Sequence, residues 1–180
     1  FVSAEAVAEA AGVSPKDIDE HVDQLNRLGL PTDTHPVYGF RLPIPFDLID
    51  AKSVTDTLNS RGVPWAVNGC LETGSSNDLV ASAALSGAPD GTTFFAEHQT
   101  KGRGRLGRSW HSPVGSGLWF SVLRRHDLPI DEAWRITLGA GLAVAKAIEK
   151  LTPIKPQLKW PNDVQIDGRK VAGILTESRP

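Results

Sequence analysis

The sequence predicts an α+β fold in which a partial N-terminal winged helix-turn-helix precedes a mixed β-sheet with packed helices. Two capped amphipathic patterns lie within residues 1–30, and a proline-containing stretch follows at residues 43–45. Helical and strand patterns are interspersed from residue 51 onward. This change of pattern predicts two domains, one at residues 1–45 and one at residues 46–180. A chain of 180 residues is long enough for a medium domain preceded by a small one.

The two N-terminal helices are predicted from their caps and their apolar spacing. Ser3 precedes the first helix and Gly12 ends it, while Ser14 starts the second helix and Gly29 ends it. The second helix carries an apolar stripe at Ile18, Val22, Leu25 and Leu28. Two helices joined by a tight glycine turn indicate a helix-turn-helix, and the short strand predicted at residues 37–42 would form its wing.

The second domain combines helical and strand patterns. Helices are expected near residues 51–58, 77–85 and 131–151, and strands near residues 65–71, 92–97 and 118–123. Residues 157–177 are typical of a β-hairpin. Its turn would be Asp167 and Gly168, a pair suited to the positive φ values of a type I′ turn.

The composition excludes several classes of protein. With 40% hydrophobic residues, 22% charged residues and a net charge of -2, the chain is unlike disordered, collagen-like or coiled-coil proteins. The single cysteine, Cys70, excludes an intrachain disulfide and a multi-cysteine metal site, and it favours a reducing compartment. Because no apolar run reaches the ~20 residues of a membrane helix, we predict a cytoplasmic protein without a membrane partner. The five histidines lack metal-ligand spacing, so no metal ligand is predicted.

Residues 102–110, the arginine-glycine loop, form the most informative segment. Its alternating glycines expose backbone N–H groups, and its arginines supply forked, permanently charged donors for phosphate or carboxylate. These arginines are Arg103, Arg105 and Arg108. The spacing matches neither the phosphate-binding loop nor the dinucleotide fingerprint. From composition alone, a solvated basic loop or a segment that follows a nucleic-acid backbone is an equally good interpretation.

Three motifs in order resemble those of biotin protein ligases. Residues 96–110 resemble the family's signature loop, and residues 159–163 its Lys-Trp-Pro-Asn-Asp motif. Residues 75–77 resemble its Ser-Thr-Asn motif, with Ser76 where threonine is usual. The N-terminal part is similar to that of bifunctional ligases that also repress biotin synthesis genes. Because the chain starts at Phe1, lacks methionine and stops soon after a strand pattern, we expect a fragment truncated at both ends, without the family's C-terminal SH3-like domain.

The resemblance implies a set of site residues. The catalytic residues would be Arg103, Arg105, Lys159 and Lys170. Biotin would be bound by Ser75, Ser76, Asn77, Gln99, Gly102, Arg103, Gly104, Arg105, Trp110, Lys159 and Gly173. ATP would be bound by Arg103, Arg105, Arg108, Asn162 and Asp163.

Several of these residues also have plainer structural interpretations. Residues 75–77 would cap a helix, and Trp110 would anchor the loop to the core. Lys159 would face solvent, since it alternates with the apolar residues beside it. Gly173 would mark a bulge, and residues 162–163 would form a turn. The sequence leaves both sets of interpretations open.

The resemblance also implies a reaction and its partners. Biotin and ATP, with Mg²⁺, would give biotinyl-5′-AMP and pyrophosphate, and an ATP-dependent biotin ligase would then pass the biotinyl group to a lysine of a biotin carboxyl carrier protein. A homodimer is implied as well. The alternative is a biotin-responsive transcriptional repressor that binds operator DNA. Against it, the second helix carries four acids and two cations between residues 16 and 27, and acids there repel phosphate.

Overall fold

The computed structural model of this chain describes residues 1–43 and 47–178. Ile44 and Pro45, which the sequence predicts as part of the proline-containing linker, lie outside the described residues. Within the two described ranges, no helix is both long enough and apolar enough to cross a membrane.

Two short helices begin the chain, as their caps predict. Helix α1 (Ala4–Ala11) begins at Ser3, whose hydroxyl accepts a backbone hydrogen bond, and ends at Gly12, which has a φ of 68°. A 3-10 turn leads into helix α2 (Ile18–Arg27), which ends two residues before Gly29. The buried apolar residues of this part are Ala8, Ile18 and Leu30.

A β-hairpin follows the helices, whereas the sequence predicted a single strand. Strand β1 (Asp33–His35) is antiparallel to strand β2 (Gly39–Arg41). Val37 and Tyr38 have side chains that favour strands, yet they lie in the turn because His35 Nδ1 accepts hydrogen bonds from both of their N–H groups, at 3.1 and 3.2 Å. The predicted strand is therefore wrong over its first two residues.

A mixed three-stranded sheet with two packed helices is built from residues 51–122. Its elements are α3 (Ala51–Ser60), β3 (Val67–Thr73), α4 (Ser76–Leu85), β4 (Thr93–Gln99) and β5 (Trp119–Val122). Strand β4 is central, parallel to β3 and antiparallel to β5. Helix α4 packs against β4 and β5, and α3 packs against β3. Phe95 and Ala96 of β4 are buried, so this strand forms the core of the sheet.

A second three-stranded sheet is antiparallel throughout and packs against one helix. Its elements are α5 (Trp134–Leu151), β6 (Gln157–Lys159), β7 (Asp163–Ile166) and β8 (Arg169–Gly173). The φ angles of Asp167 and Gly168 are 50° and 73°, so the predicted turn between β7 and β8 is confirmed. The predicted hairpin was incomplete, because β6 pairs with the other edge of β7. The described residues therefore form two sheets here rather than the single mixed sheet predicted.

The segment before α3 is attached to the central strand. The side chain of Glu97 in β4 is buried, and its Oε1 accepts a hydrogen bond of 2.8 Å from the backbone N–H of Ile49. This bond satisfies a carboxylate oxygen that would otherwise be costly to bury.

The carboxyl ends of β3 and β4 position the candidate site. Thr73 and Gln99 are paired at these ends. The chain continues in contact beyond them, since the amides of Thr100 and Lys101 donate to the carbonyl groups of Thr73 and Gly74, at 2.9 and 2.7 Å. The Ser-Ser-Asn motif and the arginine-glycine loop therefore start side by side. Ligands commonly bind outside the carboxyl ends of parallel strands.

Candidate active site

A hydrogen-bonded network is centred on Gln99, the last residue of β4. Its Oε1 accepts hydrogen bonds from the backbone N–H and the hydroxyl of Ser76, at 2.8 and 3.0 Å, and its Nε2 donates to Ser112 Oγ at 3.1 Å. Ser76 and Ser112 are both buried. The amide group of Gln99 is therefore bound at both ends and held in one orientation, with one N–H left for a further acceptor.

The Ser-Ser-Asn motif starts helix α4, in the position that its helix-cap interpretation predicts. Ser75 takes the cap position, but its buried side chain makes no capping hydrogen bond. Asn77 Oδ1 accepts a short hydrogen bond from Ser121 Oγ, which also lies 2.8 Å from Ser76 Oγ. The polar atoms of Ser76 and Asn77 thus point toward strand β5 and Gln99 rather than toward the helix backbone.

Sequence reasoning missed the two serines that complete this network. Ser121 lies in β5, in register with Phe94 of the neighbouring strand. Its signal was a single hydroxyl inside an otherwise apolar strand pattern. Ser112 follows the arginine-glycine loop and has no comparable signal, because only the fold brings it to Gln99.

The arginine-glycine loop has a paired base and an exposed tip. The amide of Trp110 donates to Gly102 O at 2.8 Å and the amide of Gly104 donates to Arg108 O at 2.7 Å, which closes the base. At the tip, Leu106 is left-handed with a φ of 60°, and the residue is 88% exposed. Glycine is required at position 102, because a Cβ there would lie 2.3 Å from the Trp110 carbonyl oxygen.

Arg103 is held by two carboxylates that are distant in sequence. Its two terminal nitrogens donate to the Asp78 carboxylate of α4 at 2.9 and 2.8 Å, and its Nε lies 3.4 Å from Glu177 Oε1. Hydrogen bonding to Asp78, together with the nearby Glu177, raises the pKa of Arg103 above its already high value. The loop is a run of cations in the sequence, yet in the fold one of them is neutralised.

Arg105 lines a cavity of about 410 Å³ beside the loop tip. Trp134 and Trp160 line this cavity, and their rings meet edge to face with centres 5.9 Å apart. Asn162 and Thr176 also line it and supply polar groups. The walls of this cavity are therefore mainly apolar, with a few polar groups.

Lys170, Asp163 and Trp110 form a separate cluster. Lys170 Nζ lies 2.6 Å from Asp163 Oδ1, and the two side chains form an ion pair. The same nitrogen lies 4.9 Å from the centre of the Trp110 ring. Gly173 leaves room for both groups, since a Cβ there would lie 2.8 Å from Lys170 Nζ and 3.2 Å from Trp110. The register shift in this sheet lies at residues 164–165 and not at Gly173.

The comparisons with known proteins identify the family. Residues 72–180 match the Biotin/lipoate A/B protein ligase family. This chain belongs to that family. It is also similar to "Biotin protein ligase from Aquifex aeolicus in complex with biotin and ATP", with a TM-score of 0.53 and 39% identity, covering 62% of this chain and 46% of that one. The predicted family and the α+β catalytic fold are therefore confirmed.

Curated relatives match more of the chain. The chain is 33% identical over 179 residues to the "Bifunctional ligase/repressor BirA" of Bacillus subtilis, covering 98% of this chain and 54% of that protein. It is 43% identical over 136 residues to the "Biotin--[acetyl-CoA-carboxylase] ligase" of Mycobacterium tuberculosis, covering 72% of this chain and 51% of that protein. The chain thus spans about half the length of the curated relatives it matches.

The structure does not bring all the predicted cations of this family member together. Lys159, at the end of β6, is exposed and lines a smaller cavity of about 150 Å³. This cavity shares Trp160 and Asn162 with the larger one, so Lys159 and Arg105 lie on neighbouring cavities. Arg108 is exposed at the base of the loop. The roles of Lys159 and Arg108 stay predictions.

A magnesium site does not emerge from Asn162 and Asp163. The side-chain amide of Asn162 donates to the carbonyl of Ile174 at 3.0 Å, and Asp163 is paired with Lys170. Throughout residues 1–43 and 47–178, no group of three His, Cys, Asp or Glu side chains could hold a metal ion. The described residues therefore show no magnesium site formed by protein groups alone, and we derive no step through that metal.

Proposed function

We propose that this chain is the biotin- and ATP-binding part of an ATP-dependent biotin protein ligase. The proposal rests on the adjacency of the Ser-Ser-Asn motif and the arginine-glycine loop at the carboxyl ends of β3 and β4. The motif offers uncharged donors and acceptors, while Arg105 and Lys170 offer cations. The Aquifex aeolicus structure contains biotin and ATP, which supports the same two substrates here.

The polar network fits the uncharged end of biotin. Its ureido group needs both donors and acceptors, which the hydroxyls of Ser75 and Ser76 and the remaining N–H of Gln99 would provide. Both serines are 4% exposed, so hydrogen bonds formed there meet little competition from water. We assign Asn77 a supporting role, because its Oδ1 already accepts from Ser121.

Fixed cations fit the activation of the biotin carboxylate. In the proposed first step, a carboxylate oxygen attacks the α-phosphorus of ATP, a new P–O bond forms and the bond to pyrophosphate breaks. Both reactants are anions, so their approach at low effective dielectric requires positioned positive charge. We assign this role to Arg105, Lys159 and Lys170, of which Lys170 is already held by Asp163.

The second step transfers the biotinyl group to a protein. The neutral ε-amine of a carrier lysine attacks the carbonyl carbon, AMP leaves with the bonding electron pair, and the amine loses a proton. With an ordinary lysine pKa of about 10.4, only a small fraction of the amine is neutral at pH 7. We propose a biotin carboxyl carrier protein as the acceptor, because the Mycobacterium tuberculosis relative is named for acetyl-CoA carboxylase.

We further propose that residues 1–43 form a partial winged helix, since two helices and a hairpin occur there in that order. Binding of operator DNA has weaker support, because Asp19 and Glu20 begin α2 and its one basic residue, Arg27, is the last. A gel shift with a biotin-synthesis operator at a stated salt concentration would test it.

A homodimer is proposed from the family resemblance, and sedimentation of the full-length protein would test that.

Biotin-dependent exchange of pyrophosphate into ATP tests the proposed ligase. The full-length protein should catalyse exchange with biotin and not with lipoate, which separates the two branches of the family. Lys170→Met should lower the exchange rate, whereas Lys146→Met, at an exposed lysine of α5, should not. A full-length protein that shows no exchange with biotin would contradict the proposal.

A further inference from the structure

We propose that Asp78 is a positioning residue for the arginine-glycine loop, and that Arg103 fixes the loop base through Asp78 and Glu177 instead of binding the anionic substrates. This inference rests on the proposed ligase function and revises the direct role that the family resemblance implies for Arg103. We call the three residues the Arg103 clamp.

The guanidinium of Arg103 has little donor capacity left for a ligand. Both terminal nitrogens donate to Asp78, one to each carboxylate oxygen, which is the forked geometry that arginine forms best. One terminal nitrogen and Nε also approach Glu177, at 3.4–3.5 Å. Two carboxylates therefore already compensate the charge of this guanidinium. An incoming carboxylate or phosphate would be attracted less strongly than by an arginine without such partners.

Arg105 has the opposite surroundings two residues later. It is exposed, it lines the larger cavity, and no ion-pair partner for it occurs among the described residues. The two arginines therefore have different roles in the loop. Arg103 attaches the loop to the protein, and Arg105 presents a cation to the cavity.

The Arg103 clamp connects three parts of the chain that the proposed substrates would contact: helix α4, the arginine-glycine loop and the segment after β8. Asp78 lies in the first turn of α4, directly after the Ser-Ser-Asn motif, and Glu177 follows strand β8. Arg103 adjoins Gly102 and Gly104, whose backbone groups close the loop base. The clamp therefore sets the distance between the polar network around Gln99 and the loop that carries Arg105, and it leaves the tip at Leu106 outside the attachment.

Hydrogen exchange of the backbone amides of Gly104 and Trp110 measures the clamp without any substrate. In the full-length protein, Asp78→Asn should raise the exchange rate of both amides about tenfold, because the loop base opens more often. The charge-swapped pair Asp78→Arg with Arg103→Asp should return both rates to within about threefold of the wild type. A matched swap at Lys52 and Asp56, an exposed ion pair of α3, should change neither rate.

Pyrophosphate exchange distinguishes positioning from direct binding. Arg103→Asp alone should raise KM for biotin and ATP about tenfold, and the charge swap should restore most of this loss. A swap that restores the loop amides but leaves pyrophosphate exchange as low as in Arg103→Asp would show that Arg103 contacts substrate, and would overturn the inference. Unchanged amide exchange in Asp78→Asn, or no recovery in the swap, would overturn it as well. If the wild type lacks biotin-dependent exchange, the ligase proposal fails, while the amide measurements still test the clamp.

Discussion

Trp110 meets Trp119 edge to face, with ring centres 6.3 Å apart. Strand β5 begins at Trp119, so this pair attaches the end of the arginine-glycine loop to the first sheet. Lys170 of the second sheet lies against the same Trp110 ring. Trp110 therefore packs between the two sheets, which supports the anchoring interpretation of this residue and makes the position of Lys170 depend on the loop.

Asp163→Asn should weaken the activation of biotin without changing the fold. The substitution keeps the shape of the side chain but removes the charge that holds the Lys170 ammonium. We expect kcat/KM for pyrophosphate exchange to fall about tenfold, or roughly 1.4 kcal/mol. Lys170→Met should cause a larger loss, and the double variant should be no worse than Lys170→Met. Losses that add in the double variant would contradict the idea that Asp163 acts through Lys170.

Gly102→Ala should destabilise the base of the loop. The added Cβ would lie 2.3 Å from the Trp110 carbonyl oxygen, so the two strands of the base must separate. A cost of about 1–3 kcal/mol is expected, which lowers the thermal midpoint by ~2–4 °C per kcal/mol for a protein of this size. Gly139→Ala in α5 is the control, because its Cβ meets no atom within 4 Å and alanine favours a helix. Equal midpoints for the two variants would argue against a special role for Gly102.

Gln99→Leu should impair biotin binding selectively. The substitution removes the acceptor for Ser76 and the donor for Ser112, and it leaves the backbone N–H of the buried Ser76 without its acceptor, at about 1–3 kcal/mol. We expect KM for biotin to rise at least about tenfold while KM for ATP changes little. Gln157→Leu, at an exposed residue of β6, serves as control. Equal increases in both KM values would place Gln99 outside the biotin site.

The tip of the arginine-glycine loop should be cut by trypsin and protected by ligands. Its base is paired, but Leu106 and the cations at positions 105 and 108 are exposed, so cleavage after Arg105 should come first. Biotin with ATP should slow this cleavage about tenfold or more if the tip orders over the bound adenylate. Cleavage after Arg61, at the end of α3, provides the internal reference. The same rate at Arg105 with and without ligands would refute closure of the tip.

Helix α3 should lose part of its stability in acid. Asp50 caps this helix, and its carboxylate accepts hydrogen bonds from the amides of Lys52 and Ser53. Hydrogen bonds from Ser53, first from its side chain and then from its backbone, lower the pKa of Asp50. A lowered folded pKa means that the stabilisation is present above the unfolded pKa and is lost as pH falls through the folded one. Asp50→Asn keeps the cap, so its thermal midpoint should fall less than that of the wild type between pH 7 and about pH 3. The same fall in both proteins would exclude this contribution.

Helix caps and the tight turn were predictable from the sequence, because each depends on one short segment. Ser3 and Gly12 delimit α1 because caps depend on neighbouring backbone groups, and Asp167 with Gly168 forms the expected turn for the same reason. The strand predicted to start at Val37 was wrong there, because the side chain of His35 accepts hydrogen bonds from two backbone amides. A side chain that competes with the hydrogen bonds of a strand cannot be detected from the spacing of apolar residues.

Contacts between distant segments could not be predicted. Asp78 and Arg103 are separated by 25 residues, and only the parallel pairing of β3 with β4 brings them together. The family resemblance implied residues for the candidate site, but the different surroundings of Arg103 and Arg105 are seen only in the fold. From the sequence alone, the same role was predicted for Arg103 and Arg105.

The hydrogen bond from Ile49 to the buried Glu97 links the junction before α3 to the central strand of the first sheet. If that bond breaks, a carboxylate oxygen is left dry and without its donor, so partial displacement of residues 47–50 is unfavourable. Glu97 lies two residues before Gln99 on the same strand. Displacement of the chain ahead of α3 would therefore break this hydrogen bond and expose to water the strand that ends in the polar network.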